Sequence, residues 1–526
     1  MRSNAVLVPR RVVSQRPTGE EIAAARNRVV WLIDNGEAYQ ALVEGIRSAR
    51  RSIWISQLAF DADCRVYKTG RPSVEEYGGG EPLLETILAT CERKGVCVKI
   101  LLNSTLLLDT VSPLRRFLDQ RGIERGNVEV RGISRFPQLL HAKFVLIDER
   151  LAFVIGSPFV NGYWDDRSHP PVDNRRPHRE LGGRPVHDVS LGLRGPAVDD
   201  IAGIFSRLWS GASDAKDDGL CLRPGSTIGG SLGAAGIETV TTEPRGSRGH
   251  GDPGSLQTVE ALLDGINRAR STIYVEHQYL SSRAVAHALR TALDRERQLE
   301  IILLLNQNPD VTAYRRWQNA RLAETGLLGH PRVGVFALWT TATGNGSNPI
   351  INQVFVHSKV VIIDDQWGMV GSANLDGVSL DSYGDDFSGR LARRVFRNVR
   401  NFDVSLVMHA EREADRVANP VRELRERLWA EHLGQRSAQA TEIIKSLRLA
   451  DWKARASQNV AALDARAERG TTLLDGTFIL PYSTSPSPRA QLADLGVRPS
   501  TPIDLQFDPG WLEVNFSPNW VRNMFL

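Results

Sequence analysis

The chain lacks the features that would place it in several common classes. Its 526 residues contain no apolar run of about 18 residues, so no bilayer-spanning helix is expected. The N-terminal stretch from Met1 to Val30 carries basic side chains but no apolar core of the kind a secretory leader needs, and no Sec export is expected. There are only four cysteines, Cys64, Cys91, Cys97 and Cys221, and none form a CxxC. Neither a zinc site nor a disulfide framework is indicated, and they read as reduced packing residues. The net charge is only +4, which is small for a protein whose main business is coating nucleic acid, although a local basic groove would not show in a total. What is present is a globular composition, 41% hydrophobic and 24% charged, with enough apolar material for two substantial cores.

One octapeptide pattern occurs twice. HAKFVLID, from His141 to Asp148, returns as HSKVVIID, from His357 to Asp364. Gly156, Ser157 and Asn161 follow the first copy, and Gly371, Ser372 and Asn374 follow the second. The flanks repeat in the same order. ALVEGIRSARRSIWISQLAF from Ala41 aligns without a gap to ALLDGINRARSTIYVEHQYL from Ala261, VKILLN from Val98 matches EIILLLN from Glu300, and DVSL stands at Asp188 and Asp403. Each DVSL leads through a helical stretch to RLW, ending at Trp209 and Trp429. Chance coincidence of two short patterns would not bring their surroundings with them, so the chain is two related halves.

Within each half, helical and strand patterns alternate. The apolar spacing near 36–50 predicts a helix and SIWISQLAF a strand. EPLLETILATCERKG reads as a helix running into VCVKILLN, whose nearly unbroken apolar character suits a strand covered on both faces. EVRGIS, HAKFVLID, LAFVIGS and DVSLGLRG read as further strands. The expected fold is α/β: two pseudo-twofold-related sandwich halves with mixed sheets flanked by helices, plus a C-terminal extension. The expected boundaries are an N-terminal extension over 1–35, a first half over 36–212, a Gly/Ser/Asp-rich linker over 213–236, a second half over 237–434 and the extension over 435–526. That extension, with a helix expected from Ala440, is either an added subdomain or a strap across the pair.

On a strand, alternation puts His141 and Lys143 on one face, and likewise His357 and Lys359. Lysine is a compact charge suited to nonbridging phosphate oxygens, and a neutral imidazole can attack phosphorus or carry a proton. Two sets supply one His nucleophile and one His acid. Ser157, Asn161, Ser372 and Asn374 are expected to add neutral hydrogen bonds to the same oxygens. Asp148 and Asp364 stand at an odd separation from their histidines, so they are expected to be structural. The carboxylate that orients each imidazole is assigned to Asp188 or Asp403, on a neighbouring strand of the same half.

The paired HxKxxxxD followed by a GSxN-type element resembles the signature of the phospholipase D superfamily. GYWDDRSHP from Gly162, VHDVSL, YVEHQYL from Tyr274 and RERLWAEHLG ending at Gly434 resemble GRYDTxxHP, PWHDV, YIENQYF and the closing helix of its eukaryotic-like, lipid-cleaving branch. The likeness covers roughly 38–434. Two departures stand out: the first motif reads GSPFVN, which puts Asn161 out of step with Asn374, and RNFDVSL replaces an RDSE-like element. The resemblance implies attack by His141 on phosphorus to give a phosphohistidine, with His357 as acid and then base. It implies no metal or cofactor, the positive charge coming from Lys143 and Lys359. His169, Glu276 and Gln278 are placed at the rim of the site, the alternative for His169 being a loop position without chemistry. His187 and His277 read as structural.

The leading function is a phospholipase D acting on glycerophospholipid, by hydrolysis or by transfer to a primary alcohol. A nuclease or other non-lipid phosphodiesterase would use the same histidines, with the weak net charge against it. A cardiolipin synthase is disfavoured by the missing membrane segment, and a non-catalytic lipid-binding scaffold by the intact motifs. The expected partner is phospholipid at a membrane surface, met from the aqueous side by a cytoplasmic or peripheral protein. Export as an effector is compatible with the same sequence. One chain holds both half-sites, and its oligomeric state stays open. Trp511, Phe516, Trp520 and Phe525 in the tail suit core docking, or alternatively a membrane interface. The basic run RLARRVFRNVR from Arg390 reads as a solvated face, or alternatively as a headgroup contact.

Overall fold

A computed structural model describes residues 27–497 except 70–78, 106–107, 124–126, 136–137, 178–180, 213–235, 248–251, 311, 344–348, 381–399, 411–418, 435–447, 470–473 and 475, together with 504–505. The linker up to residue 235, the four tail aromatics and the basic run up to residue 399 lie outside the described residues. No helix among the described residues is long and apolar enough to cross a membrane.

The first half forms a 7-stranded sheet in the order Arg28–Ile33, Val189–Arg194, Leu151–Val154, Phe144–Ile147, Ser52–Ser56, Cys97–Asn103, Val128–Ile133. The second sheet repeats that order with Ile237–Glu243, Asn401–His409, Trp367–Gly371, Lys359–Ile363, Thr272–His277, Glu300–Leu305 and Val333–Thr343, and carries further strands at both ends. Both sheets mix parallel and antiparallel pairs. The period of two sorts the side chains: Ile53, Ile55, Val145 and Ile147 face outward, and Trp54, Phe144 and Leu146 inward. The outer face of the first sheet is covered by helices Asp34–Ser48, Leu83–Lys94 and Val111–Gln120. Gln257–Arg268, Arg283–Arg295 and Thr312–Glu324 cover the second. Leu83–Lys94 ends where Gly95 turns left-handed at φ 61, a conformation that costs glycine little.

The inner faces share one core, in which Trp54, Phe144 and Leu146 join Tyr274, Val360, Ile362 and Leu406. The halves also exchange backbone. Leu139 and Leu140, just before the first motif, pair in parallel with Asn401 and Phe402 of the second half, and Val186 and His187 pair with Phe355 and Val356. The closing helix Pro420–His432, started by the Asn419 side chain capping the amides of Val421 and Arg422, reaches the first half. There Trp31 Nε1 donates to the Pro420 carbonyl at 2.9 Å and Arg427 donates to the Trp31 carbonyl at 2.9 Å.

These exchanges correct the expected motif strands. The in-sheet strand starts only at Phe144 in the first motif and at Lys359 in the second, because the preceding residues are spent on the other half. The His141 amide donates to the Phe402 carbonyl at 3.0 Å and the His357 amide to the His187 carbonyl at 2.7 Å. The described part of the C-terminal extension builds on the second half. Helix Leu449–Arg469 places Trp452 against Trp429, Tyr274 and Phe336, and strand Gly476–Pro481 pairs antiparallel with Val333–Thr343.

Candidate active site

The crossed backbone segments carry crossed side chains. His141 Nδ1 meets Asp403 Oδ1 at 2.7 Å, and His357 Nδ1 meets Asp188 Oδ2 at 2.8 Å. Each imidazole therefore takes its carboxylate from the opposite half, not from its own as the sequence suggested. The reason is topological: the two-residue strand before each histidine pairs with the two residues just before the other half's DVSL aspartate, and the side chains follow. With Nδ1 engaged, Nε2 is left for chemistry on both rings, and His357 Nε2 has no hydrogen-bond partner. Tyr163 of the first half packs edge-on against His357 with ring centroids 5.0 Å apart.

Lys143 and Lys359 are buried beside these pairs and fold back onto the carbonyls of His141 and His357. Gln278, expected at the rim, instead holds Lys359 through its Oε1 at 3.0 Å. The six groups form one electrostatic unit. Burial and then Lys143 push the His141 pKa down to about 4, and burial and then Lys359 push His357 down to about 3, in both cases against the pull of the partner carboxylate. Burial raises the Asp188 carboxyl, but His357 and Lys359 more than reverse this and hold it at about 2; Asp403 is likewise held below its ordinary value by His141 and Lys143. Burial lowers Lys359 to about 8, and burial together with Lys359 puts Lys143 well below the usual lysine range. At neutral pH the resting site thus holds two neutral imidazoles and two ionised carboxylates.

The remaining motif residues take different places. Ser157 and Ser372, expected on phosphate oxygens, donate their hydroxyls to Asp188 and to Asp403, the latter at 2.8 Å. They fix the orienting carboxylates instead. The preceding glycines are steric necessities, since a Cβ on Gly156 would overlap the Asp188 carboxylate and one on Gly371 would overlap Ser405 and the Val404 carbonyl. Asn161 leaves the phosphate set: its Oδ1 accepts from the Arg65 amide at 2.8 Å and its Nδ2 donates to the Asp63 carbonyl at 3.0 Å, so the two extra residues of GSPFVN make it a loop clamp. Asn374 is buried with its Oδ1 unpartnered. Asp148 and Asp364 lie in left-handed turns and accept the amides of Arg50, Arg51 and Ser52, and of Arg270, Ser271 and Thr272, at the starts of the central strands.

Two residues outside the motifs join the site. His277 is paired across the sheet with Lys359 and so shares its face, and Gln57, aligned to it by the internal repeat, sits one step past the Ser56–Phe144 pair, opposite Lys143. Both are fully buried, and none of their side-chain polar atoms has a hydrogen-bond partner. Burial, then Lys359, keep His277 well below the ordinary histidine range, so its ring is neutral. The gapless alignment of Gln57 to His277 was the available signal: two polar residues at the inner end of apolar strands.

The segments GYWDDRSHP, VHDVSL, YVEHQYL and EHLG converge behind Asp188. His169 and Glu276, expected at the rim, are instead fully buried at the seam with Asp34, Asp165, His187, Glu431 and His432. His169 Nδ1 lies 3.0 Å from Asp165 Oδ2, which is itself joined to Arg176 at 2.7 Å through its other oxygen. His187 lies 2.8 Å from Asp34 through Nδ1 and 2.9 Å from Glu276 through Nε2, and His432 Nε2 lies 2.9 Å from Glu276. Mutual pairing is what lets such charge be buried. Burial depresses both His169 and His187, but Asp34 and Asp165 around the first, and Glu276 and Asp34 around the second, hold them well above the ordinary value.

A family model described as "Cardiolipin synthase, PLD-like domain" matches residues 262–387. "Phospholipase D A" of Dictyostelium discoideum is 22% identical over 466 residues, covering 76% of this chain and 35% of that protein. "Cardiolipin synthase A" of Pseudomonas aeruginosa is 26% identical over 368 residues, covering 68% of this chain and 62% of that protein. The match therefore spans less than two thirds of either relative. Among solved structures, phosphatidylserine synthase of Haemophilus influenzae Rd KW20 aligns with a TM-score of 0.48 at 14% identity, covering 81% of this chain and 94% of that one.

Proposed function

Because the chain belongs to the phospholipase D superfamily, we propose that it cleaves the distal phosphodiester of glycerophospholipids, releasing the headgroup and leaving a phosphatidyl group on His141. The observation that carries this reading is the pair of crossed His–Asp contacts with a buried lysine beside each imidazole. His141 Nε2 attacks phosphorus, the bond to the headgroup oxygen breaks, and that oxygen takes a proton from His357. His357 then removes a proton from water, the resulting hydroxide attacks phosphorus, and the P–N bond breaks to free a neutral His141.

The electrostatics suit this sequence of steps. A neutral His141 is a competent nucleophile at rest, and the two lysines wait for a phosphate charge. His357 takes up its proton from solvent as substrate binds: a phosphodiester anion between the lysines offsets the cations that depress this imidazole, and Asp188 supports its charged form. Asp403 does the same for the phosphohistidine. Gln57 and His277 offer neutral contacts to the nonbridging oxygens. Only His141 of the two rings has any exposure, 6% against 0%, so lipid is met from its side at a membrane surface.

A cardiolipin synthase-like transfer shares the first step and replaces water with an alcohol, and the family match over 262–387 favours it as the second reading. The test is incubation with phosphatidylcholine, phosphatidylglycerol and single-stranded DNA, with and without ethanol. Choline release, with phosphatidylethanol when ethanol is present, is expected. Cardiolipin from phosphatidylglycerol without choline release would install the second reading, and cleavage of DNA alone would remove both.

A further inference from the structure

The buried cluster behind Asp188 contains more ligand-type atoms than its hydrogen bonds use. Asp34, His169, His187 and Glu431 each offer one ligand-type side-chain atom, and these atoms all lie within 4.8 Å of one another. His187 Nδ1 lies 2.8 Å from Asp34 Oδ1 and 3.2 Å from Glu431 Oε1, while His169 Nε2 lies 3.4 Å from Asp34 Oδ2 and 3.4 Å from Glu431 Oε1. These are separations of co-ligands. Four N and O donors about 2.0–2.1 Å from one tetrahedral ion stand about 3.3 Å apart. The orientation agrees: His187 Nδ1 makes no aligned hydrogen bond despite its 2.8 Å contact, and Asp34 Oδ2 and Glu431 Oε2 also lack a hydrogen-bond partner although fully sealed from solvent.

We infer that Asp34, His169, His187 and Glu431 form a structural binding site for one first-row divalent cation, with zinc the best fit to two imidazoles and two carboxylates in a closed four-coordinate shell. The outer shell has the form such sites take. The far nitrogen of His169 is hydrogen-bonded to Asp165, and that of His187 lies 2.9 Å from Glu276 Oε1 without an aligned hydrogen bond; those carboxylates are held in turn by Arg176 and by His432 and Tyr274. The charge balances as well, because a dication cancels Asp34 and Glu431. The nearest cation on the solvent side, Arg167, is 3.8 Å from Glu431 with its side chain 44% exposed. All four ligand residues lie at the seam, two from the first half's motif segments, one from its first helix and one from the second half's closing helix.

The ion would act at a distance from phosphorus. Asp34 is bonded in both directions to the Asp188 backbone, its amide donating to the Asp188 carbonyl at 2.8 Å and its Oδ1 accepting from the Asp188 amide at 3.2 Å. His187 holds the His357 amide. Fixing the ligands therefore fixes the His357–Asp188 pair. The other half has no equivalent, since the repeat places Phe402 and Ser56 where His187 and Glu276 stand.

The test does not depend on what the enzyme cleaves. The full-length chain is produced in media supplemented with zinc, manganese or iron, passed through EDTA and gel filtration, and its metal content measured by plasma mass spectrometry, with K-edge absorption to count imidazole ligands. One dication per chain with two imidazoles in its shell is expected, with at least tenfold less retained by Glu431→Gln and His169→Gln and no loss from Asp148→Asn. If those two variants do not fold, the wild-type ligand shell decides alone. Metal-free wild type from every medium, a shell without imidazole, or undiminished metal in folded Glu431→Gln would overturn the site and leave the cluster neutralised by protons on its imidazoles.

Discussion

Replacing Asp188 by Asn separates the two histidines' duties. The exchange keeps the size of the side chain and can keep the Ser157 contact, but it removes the charge 2.8 Å from His357 Nδ1. Opposite charges about 4 Å apart are worth about 4 kcal/mol at the effective dielectric near 20 that fits protein sites. At 1.36 kcal/mol per factor of ten this alone is about 10^3 in rate. Loss of tautomer control adds to it, and in serine protease triads the same exchange costs about 10^4. Turnover of phosphatidylcholine by Asp188→Asn should therefore fall about 10^3- to 10^4-fold, with circular dichroism and melting curves close to the parent's. If His357 is the acid that serves the headgroup oxygen, a phosphatidyl substrate with a p-nitrophenol leaving group, which departs without a proton, should recover much of the loss. Asp403→Asn, which strips the nucleophile's partner, should not be rescued. Near-normal rates in either variant would refute the reasoning, and rescue of Asp403→Asn in place of Asp188→Asn would reverse the two roles.

The lysine assignment predicts a pH dependence of anion binding. Lys359 is charged below about 8 and neutral above it, so inorganic tungstate, read by calorimetry, should bind progressively more weakly as pH rises through that value, and Lys359→Arg should flatten the trend. Since His141 stays neutral until about pH 4, its carbethoxylation by diethyl pyrocarbonate, followed by mass spectrometry, should persist well below the pH at which an ordinary histidine is protected; protection near 6.5 would contradict the buried, lysine-flanked site. Gly156→Ala drives a methyl group into the Asp188 carboxylate and should cost about 1–3 kcal/mol in urea unfolding as well as most of the turnover. Asp148→Asn, which weakens bonds to three backbone amides far from the phosphate, should cost about 1–3 kcal/mol of stability while a folded sample turns over at the parental rate.

The α/β repeat and its alternation of helices and strands were legible because duplication writes each element twice, and His141, Lys143, His357 and Lys359 stand out for the same reason. The identity of the orienting carboxylates was legible too. Their ownership was not: Asp188 is closer in sequence to His141 than to His357, and only the pairing of Leu139–Leu140 and Val186–His187 across the halves decides which imidazole each one meets. His169 and Glu276 misled in another way. Charged side chains read singly belong at a surface, and only when Asp34, Asp165, Glu431 and His432 are brought against them does burial become affordable. Ser157 and Ser372 show the limit of reasoning from residue type, since a hydroxyl near phosphate chemistry and a hydroxyl steering a carboxylate look the same in sequence.

The exchanged aspartates have a consequence for how such a molecule can be taken apart. Either repeat produced alone, even perfectly folded, would present an unsupported imidazole and a stray acid with nothing to steer. The two lobes are thus coupled atom to atom, and loss of either aspartate would be felt by the histidine of its twin.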